Sequence, residues 1–385
     1  MPVHRFLLLL ISTSLFGQPY TISTLAGQGK AGAFFDNPTS LAVDSAGNVY
    51  VSDWSGFIRK IWVKDGGTSI IAGTGILSYG GDGGQATNAK LGQAIALTLD
   101  SSGNLYIADS NNNCIRRVEL LTGIITTVAG TGAAVDSGDG GAALEAGVSR
   151  PTGVVTDREG NIYFSSSWSR VRKISSRSGI IETVAGQSVT SFGGDGGPAI
   201  GALFWDPLPS AVDAARDLYI TDFENSRVRQ IKARSGIVTT IVGSASCSGG
   251  IPGLNDVVSC LGGFGGDGGP ARLAMLNHPQ GSALDAAGNL YIADTSNHRI
   301  RLVDARTQLI STIAGNGTSG LTGDGGPAIT AEISFPVSIA LDRFGRVYFA
   351  DESNNRIRML TPVEQPWNPF RGQRCDEHPA GCEGR

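Results

Sequence analysis

Residues 288–301 read Gly-Asn-Leu-Tyr-Ile-Ala-Asp-Thr-Ser-Asn-His-Arg-Ile-Arg. Two short β-rich runs flank a polar turn in this segment, and its apolar residues repeat with a period of two rather than 3.6, which indicates strands. A Tyr followed three positions later by Asp recurs along the whole chain. The copies are Tyr50/Asp53, Tyr106/Asp109, Tyr219/Asp222, Tyr291/Asp294 and Tyr348/Asp351, with Tyr163/Ser166 as a sixth copy that lacks the Asp.

The spacing of these tyrosines defines a repeat. Successive tyrosines lie 56, 57, 56, 72 and 57 positions apart, so one unit has about 57 residues and the fourth interval carries about 15 extra. Five of the six units have an Asp-x-x-Gly segment between two β-rich runs, which predicts a hairpin turn with Gly as the left-handed residue. The fourth unit has Arg216 in place of this Gly. We expect its turn to be looser or strained.

Each unit contains two further β-rich runs, which makes four strands per unit. Six units of four antiparallel strands without helical periodicity predict an all-β fold, a six-bladed β-propeller. Residues 21–27, Thr-Ile-Ser-Thr-Leu-Ala-Gly, match the fourth run at 309–315 but have no unit before them. We therefore expect this N-terminal strand to pair into the last blade and close the ring, which removes exposed strand edges.

The segment 288–301 and the Gly-Asp-Gly-Gly-Pro-Ala sequences at 266–271 and 323–328 resemble NHL repeats. The resemblance extends over about residues 21–360 and implies the propeller fold. It leaves the function open, because propellers of this family include RNA-binding, protein-binding, receptor-like and lyase members.

The two ends of the chain read differently from the repeats. Residues 1–17 have a short basic start, an apolar centre and small residues after it, which is typical of a secretory signal peptide. The alternative is a buried N-terminal strand. The propeller is predicted over 18–360 and a Pro-rich tail over 361–385. We expect a secreted or periplasmic protein without a membrane span.

Composition argues against nucleic acid as a partner. The chain has 30 basic and 34 acidic residues, a net charge of −4, and no basic block. The five cysteines are consistent with an oxidising compartment.

Cys247 and Cys260 are predicted to form a disulfide that closes the insertion, and Cys375 and Cys382 are predicted to pair in the tail. Cys114 is expected to be unpaired.

Antiparallel connectivity brings two rings of acids to one face. The Tyr-x-x-Asp ring consists of Asp53, Asp109, Asp222, Asp294 and Asp351. The Gly-Asp-Gly-Gly ring consists of Asp82, Asp139, Asp195, Asp267 and Asp324. One interpretation is turn chemistry, in which each Asp accepts bonds from nearby backbone N–H groups. The other is ligand contact for the first ring and binding of a hard cation or a polyol for the second, with calcium as the candidate ion.

Aromatic residues interrupt the polar turns of this face at Trp54, Trp168 and Phe223. Exposed aromatic side chains often dominate binding energy, so these three are candidate ligand contacts; the alternative is packing over a neighbouring blade. Arginines recur in the third strands and are expected to face solvent or to pair with the Asp rings. They are Arg59, Arg116, Arg172, Arg229, Arg301 and Arg358.

Catalytic patterns are scarce. Three scattered histidines after the leader cannot reproduce the zinc site of lyase propellers, and no nucleophile elbow is present. We favour a non-catalytic binding or scaffold protein that presents a loop-rich, acidic face to a protein, peptide or glycan. The competing hypothesis is a metal-dependent hydrolase or lyase, similar to lactonases, at the mouth of the channel. The oligomeric state is left open.

Overall fold

Six four-stranded antiparallel sheets form the blades of a propeller, as the sequence predicts. The structure is a computed structural model, and it describes residues 19–27, 35–244, 246–248 and 259–363. The predicted signal peptide and the tail cysteines Cys375 and Cys382 lie outside these residues. Of the tail predicted over 361–385, residues 361–363 are described.

The strands follow one another in simple up-and-down order within each blade. The chain begins with β1 (Tyr20–Gly27), and blade 1 has β2 (Pro38–Val43), β3 (Val49–Asp53), β4 (Ile58–Ile61) and β5 (Thr68–Ala72). Blade 2 has β6 (Ala94–Leu99), β7 (Asn104–Asp109), β8 (Cys114–Glu119) and β9 (Ile124–Ala129). Blade 3 has β10 (Val154–Thr156), β11 (Ile162–Ser166), β12 (Arg170–Ile174) and β13 (Ile181–Gly186).

The second half of the ring has the same plan with one added hairpin. Blade 4 has β14 (Pro207–Val212), β15 (Leu218–Asp222), β16 (Arg227–Ile231) and β17 (Val238–Val242), and the hairpin β18 (Ser246–Ser248) and β19 (Ser259–Leu261) follows it. Blade 5 has β20 (Ser282–Leu284), β21 (Leu290–Asp294), β22 (Arg299–Val303) and β23 (Ile310–Ala314). Blade 6 has β24 (Pro336–Leu341), β25 (Val347–Asp351) and β26 (Arg356–Pro362), together with β1.

The helices among the described residues are 3-10 turns of three residues. Five lie in the linkers that lead into blades 2 to 6, at Ala86–Asn88, Ala143–Glu145, Ala199–Gly201, Ala271–Leu273 and Ala328–Thr330. Three follow second strands, at Ser110–Asn112, Thr295–Asn297 and Glu352–Asn354. None of these helices is long and apolar enough to cross a membrane.

The first strands of neighbouring blades contact one another around a central channel. Each first strand starts at the face that we call the loop face, which carries the linkers and the turns after the second strands. The opposite face, which we call the hairpin face, carries the Asp-x-x-Gly turns. Apolar clusters lie between successive blades, so each blade is stabilised by the next one rather than by its own sheet alone.

Strand β1 closes the ring as predicted. It pairs antiparallel with β26 in a register that runs from Tyr20 opposite Pro362 to Gly27 opposite Arg356. Ile22 is 1% exposed and belongs to the apolar cluster between blades 5 and 6. The hydroxyl groups of Tyr20 and Tyr291 lie 3.2 Å apart, which adds a polar contact between these blades.

The predicted hairpin turns are present, including the strained one in blade 4. In blade 1, one carboxylate oxygen of Asp44 accepts bonds from the backbone N–H groups of Ala46 at 3.0 Å and Asn48 at 2.8 Å. Gly47 has φ +87°, and Arg216 has φ +69° at the same place in blade 4. A side chain at positive φ is disfavoured by contact between Cβ and the backbone, so the prediction of strain is confirmed.

The described cysteines fit part of the predicted scheme. Cys247 and Cys260 lie directly opposite each other in the register of β18 and β19. The disulfide between them stays a prediction. Cys114 is buried with a free thiol, and burial raises its pKa to about 12, so the thiolate is not available at neutral pH.

Replacing Ile22 by Ala tests ring closure. We expect the free energy of unfolding to fall by about 2–5 kcal/mol, because the change removes a buried side chain from the contact between two blades. The matched variant Thr21→Ala alters the exposed side of the same strand and should change stability by less than about 0.5 kcal/mol. Chemical denaturation measures both. Equal, small effects would show that β1 does not close the ring.

Candidate functional site

The Tyr-x-x-Asp acids are buried rather than displayed. Asp53, Asp109, Asp222, Asp294 and Asp351 are each 0% exposed. Asp109 accepts bonds from the backbone N–H of Gly92 at 2.8 Å and from the side-chain amide of Asn112 at 2.9 Å. Equivalent bonds hold Asp222, Asp294 and Asp351. These carboxylates hold the linker to the polar turn, so the ligand-contact role predicted for them gains no support.

The Gly-Asp-Gly-Gly acids pair with the arginines of the third strands. Arg229 donates to Asp195 from Nη2 at 2.8 Å and from Nε at 3.1 Å, and it lies 3.3 Å from Asp222 on its other side. Arg229 also donates to the carbonyl groups of Gly193 and Leu203. The corresponding pairs are Arg116–Asp82, Arg172–Asp139, Arg301–Asp267 and Arg358–Asp324. We call this arrangement the arginine clamp.

The carboxylate of the clamp also accepts a hydrogen bond from a backbone N–H group beside a β-bulge. The pairing of β26 with β1 shifts register between Thr24 and Ala26, and the backbone N–H of Thr24 donates to Asp324 at 3.0 Å. Thr127 donates to Asp82 and Thr240 to Asp195 in the same way. Each Gly-Asp-Gly-Gly acid therefore connects a third strand to the fourth strand of its blade. Turn and strand chemistry accounts for these acids, and the arginines pair with them instead of facing solvent.

Blades 1 and 3 depart from this plan. Asp53 of blade 1 pairs with Arg59, whose guanidinium lies over the ring of Phe57 at 5.0 Å. Blade 3 has Ser166 in place of the inner Asp, and its hydroxyl bonds to Asp136 of the linker. Asp136 lies 3.5 Å from Arg170. The linker carboxylate therefore lies beside Arg170, and the clamp arginine Arg172 has Asp139 as its carboxylate partner.

The Gly-Asp-Gly-Gly acids do not lie next to one another in the structure. Among the described residues, no three His, Cys, Asp or Glu side chains lie close enough together to hold a metal ion. The five Gly-Asp-Gly-Gly acids lie in five different linkers, each beside its own arginine. Metal binding at Asp82, Asp139, Asp195, Asp267 and Asp324, with calcium as the candidate, stays a prediction.

Replacing Arg301 by Leu tests the clamp. The variant leaves Asp294 buried without its cation, and loss of one partner of a buried pair costs about 3–5 kcal/mol of unfolding free energy. Arg272→Leu, at an exposed position in the same blade's linker, should cost less than about 0.5 kcal/mol. Denaturant titration at pH 7 measures both. A loss below about 1 kcal/mol for the clamp variant would contradict this account.

The central channel holds a cavity of about 650 Å³. Its foot, toward the hairpin face, is lined by the last residue of each first strand. These residues are Val43, Leu99, Thr156, Val212, Leu284 and Leu341. Five of the six are apolar, whereas the charged groups lie at the other end. The charged side chains that line the cavity therefore lie only at the loop face, and we call this end the mouth of the channel.

Small residues allow the first strands to pack closely around the channel. A Cβ atom on Gly153 would lie 2.7 Å from Pro209, and one on Gly281 would lie 2.7 Å from the carbonyl oxygen of Val337. Serine side chains bridge neighbouring strands elsewhere. The hydroxyl of Ser40 accepts from the N–H of Leu97 at 2.9 Å. These hydroxyls add hydrogen bonds between the first strands of neighbouring blades.

The lining of the mouth includes two pairs of side chains, and each pair consists of an aromatic residue and an acidic residue. Trp54 of blade 1 and Glu352 of the adjacent blade 6 form one pair, and Phe223 and Asp206 of blade 4 form the other. Blade 4 lies across the ring from blade 1. The predicted contacts Trp54 and Phe223 thus line the cavity. Trp168 does not; it is 41% exposed and lies 5.0 Å from the guanidinium of Arg150.

Burial changes the acidity of both carboxyl groups of the mouth. The pKa of Asp206 is raised to about 7, mainly by burial, with repulsion from Glu224 and Asp222 adding to it. The hydroxyl of Thr152 donates to Asp206 at 3.1 Å and acts in the opposite direction, as does Arg150. Burial also raises the pKa of Glu352. Neither acid forms an ion pair with a described residue.

Sequence reasoning missed Asp206 and Glu352 because neither belongs to a repeated motif. Glu352 follows the last Asp of the Tyr-x-x-Asp ring, at the position that Trp54 and Phe223 occupy in their own blades. Asp206 precedes the first strand of blade 4, where His278 and Phe335 stand in blades 5 and 6. The mouth consists of the positions at which the repeats differ. Variation between internal repeats is the signal that could have found them.

Replacing Asp206 by Asn tests its acidity. Between about pH 4 and pH 7 the folded wild type keeps a proton that the unfolded chain releases, so its stability falls as pH rises. D206N lacks this titration. The free energy of unfolding of D206N relative to that of wild type should therefore rise by up to about 1.4 kcal/mol per pH unit in this window and then level off. Urea titrations at several pH values measure the difference, with the exposed-site variant E145Q as control. A pH-independent difference would contradict the shift.

Two of the repeats match a known family of repeats. The sequence profile of the family described as NHL repeat matches residues 91–118 and 276–301, which lie in blades 2 and 5. This chain is a six-bladed β-propeller with NHL-repeat matches in two of its blades. Teneurin-3 of Danio rerio is 29% identical to this chain over 91% of the chain and 14% of its own length. NHL repeat-containing protein 2 of Gallus gallus is 27% identical over 84% and 46%. The chain thus spans less than half of either relative.

The solved structures that resemble this propeller include proteins with different functions. An auxiliary nutrient binding protein from Bacteroides ovatus has a TM-score of 0.62 and 15% identity, over 90% of this chain and 78% of its own. Virginiamycin B lyase from Staphylococcus aureus, solved with quinupristin, has 0.52 and 16%, over 89% and 100%. A gluconolactonase from Xanthomonas campestris has 0.55 and 11%, over 90% and 95%. At these identities, the similarity establishes the fold alone.

Proposed function

We propose that this NHL propeller is a non-catalytic binding module that takes its ligand at the mouth of the channel. The observation that carries the proposal is the cavity of about 650 Å³, whose mouth combines Trp54 and Phe223 with carboxyl groups that no described residue neutralises. The other predicted acids hold linkers and strands together. The face is therefore a localised site at the channel rather than a broad acidic surface.

The size and lining of the cavity support a ligand site. Ligand pockets commonly measure about 300–1,000 Å³ and combine apolar walls with a few polar groups. Trp54 is 44% exposed at the mouth, so its ring is available to a partner. An exposed aromatic side chain loses little conformational entropy when it is covered. We propose a protein, peptide or glycan as the ligand.

The location of the protein is part of the same proposal. The leader-like sequence at 1–17 supports secretion or export to the periplasm. The cysteines that lie opposite each other in the register of β18 and β19 support an oxidising compartment, where a disulfide would persist. A partner outside the cytoplasm follows from both.

A binding screen with matched tryptophan variants tests the function. The protein is screened against a glycan array and a random heptapeptide library, and the hits are measured by calorimetry. We expect W54A and F223A to weaken binding at least tenfold, which is about 1.4 kcal/mol, because each removes an aromatic contact. W62A serves as control, since Trp62 is also 44% exposed but lies at the hairpin face. Loss of binding in W62A alone would place the site elsewhere.

The raised pKa of Asp206 favours one second candidate, an enzyme that uses this carboxyl group as an acid or base near neutral pH. A resident metal does not fit the mouth, because the described residues offer no set of three ligands there. Lactone and ester substrates are the probes. Hydrolysis that D206N abolishes and EDTA leaves unchanged would favour the enzyme over the binding module.

A further inference from the structure

The charges that line the cavity all have one sign. Asp206 and Glu352 are acidic, and within the described ranges no Lys, Arg or His lines the cavity. The side chain of Glu352 has no hydrogen-bond partner among these residues, and Asp206 receives one bond, from Thr152. A partly buried carboxylate without a cation is costly, since burial removes the water that stabilises its charge. A ligand cation would relieve this cost at both positions.

Two basic residues beside the mouth, Arg150 and His278, have contacts of their own. The guanidinium of Arg150 lies over the ring of Trp168. His278 lies 3.5 Å from Glu224 and its Nδ1 contacts the side-chain oxygen of Asn277 at 2.8 Å. Neither side chain lines the cavity. The negative charge of the mouth is therefore left for a partner to balance.

The aromatic rings favour the same kind of ligand. Trp54 lies in the blade next to Glu352, and the backbone N–H of Phe223 donates to the carbonyl of Asp206 at 3.4 Å. A cation that pairs with either acid would therefore have an aromatic residue nearby, and cation–π attraction contributes about 0.5–2 kcal/mol depending on desolvation. A neutral sugar would gain stacking and hydrogen bonds but would leave two carboxylates uncompensated.

We propose that the mouth of the channel binds a basic side chain, lysine or arginine, that a protein partner presents on an exposed peptide segment. The proposal rests on the binding function proposed above and specifies its ligand class. Glu352 and Trp54 receive the cationic group on one side of the channel. Asp206 and Phe223 offer a second position across it. The apolar foot stops the charged group from passing through.

Calorimetric titration with a capped tri-lysine peptide tests this proposal, and a capped tri-glutamine peptide serves as the neutral probe. We expect tri-lysine to bind wild type and tri-glutamine to bind at least tenfold more weakly. E352Q should weaken tri-lysine binding at least tenfold while preserving the shape of the mouth. Added sodium chloride should weaken it too, because salt screens the attraction. E145Q, at an exposed site in the linker before blade 3, should bind like wild type.

The outcomes separate this proposal from the function on which it rests. Equal binding of the two peptides, unchanged affinity in E352Q, or no binding at millimolar peptide would overturn the cationic ligand. If W54A still weakens a neutral glycan or peptide found by the screen, the binding function stands without it. If W54A and F223A affect no ligand, both proposals fail. A stability measurement of E352Q confirms that the variant is folded.

Discussion

The buried arginine of the third strand is the contact on which most of the ring depends. In blade 4, Arg229 is 0% exposed and lies between the buried Asp222 and Asp195 of the preceding linker. It joins the second strand, the third strand and the linker, and Asp195 adds the fourth strand through the N–H of Thr240. One guanidinium therefore holds the layers of a blade in register. A desolvated cation tolerates this position only because two carboxylates and backbone carbonyls surround it.

The clamp explains why the acid motifs repeat without forming a binding surface. A carboxylate that already faces a guanidinium and backbone N–H groups has few lone pairs left for a ligand. Blade 3 departs from the plan, because the hydroxyl of Ser166 bonds to Asp136 of the linker, and Asp136 lies beside Arg170 rather than beside the clamp arginine Arg172. Repetition here reflects the construction of the ring.

Function on such a scaffold is carried by the positions that the scaffold leaves free. The residues at the mouth differ from blade to blade, since the clamp and the hairpin turns do not constrain them. Trp54, Phe223, Asp206 and Glu352 come from three blades and meet only because the ring closes. Their carboxyl groups are partly desolvated and unpaired, which is unfavourable in the free protein and suits a cation supplied by a partner. Trp168 differs from Trp54 and Phe223, because it lies beside Arg150 and does not line the cavity.

The sequence alone determined the number of blades, their strand order, the hairpin turns and the closing strand, because each depends on local periodicity and on a motif that recurs in every unit. It also indicated Trp54 and Phe223, since an aromatic residue in a polar turn stands out locally. Only the tertiary structure decided which acids are spent on the fold and which face the channel. Burial and pairing with Arg116 or Arg229 depend on residues about 34 positions away, and the pKa of Asp206 depends on how blades 3 and 4 meet. No local pattern carries that information, because solvent exclusion is a property of the closed ring.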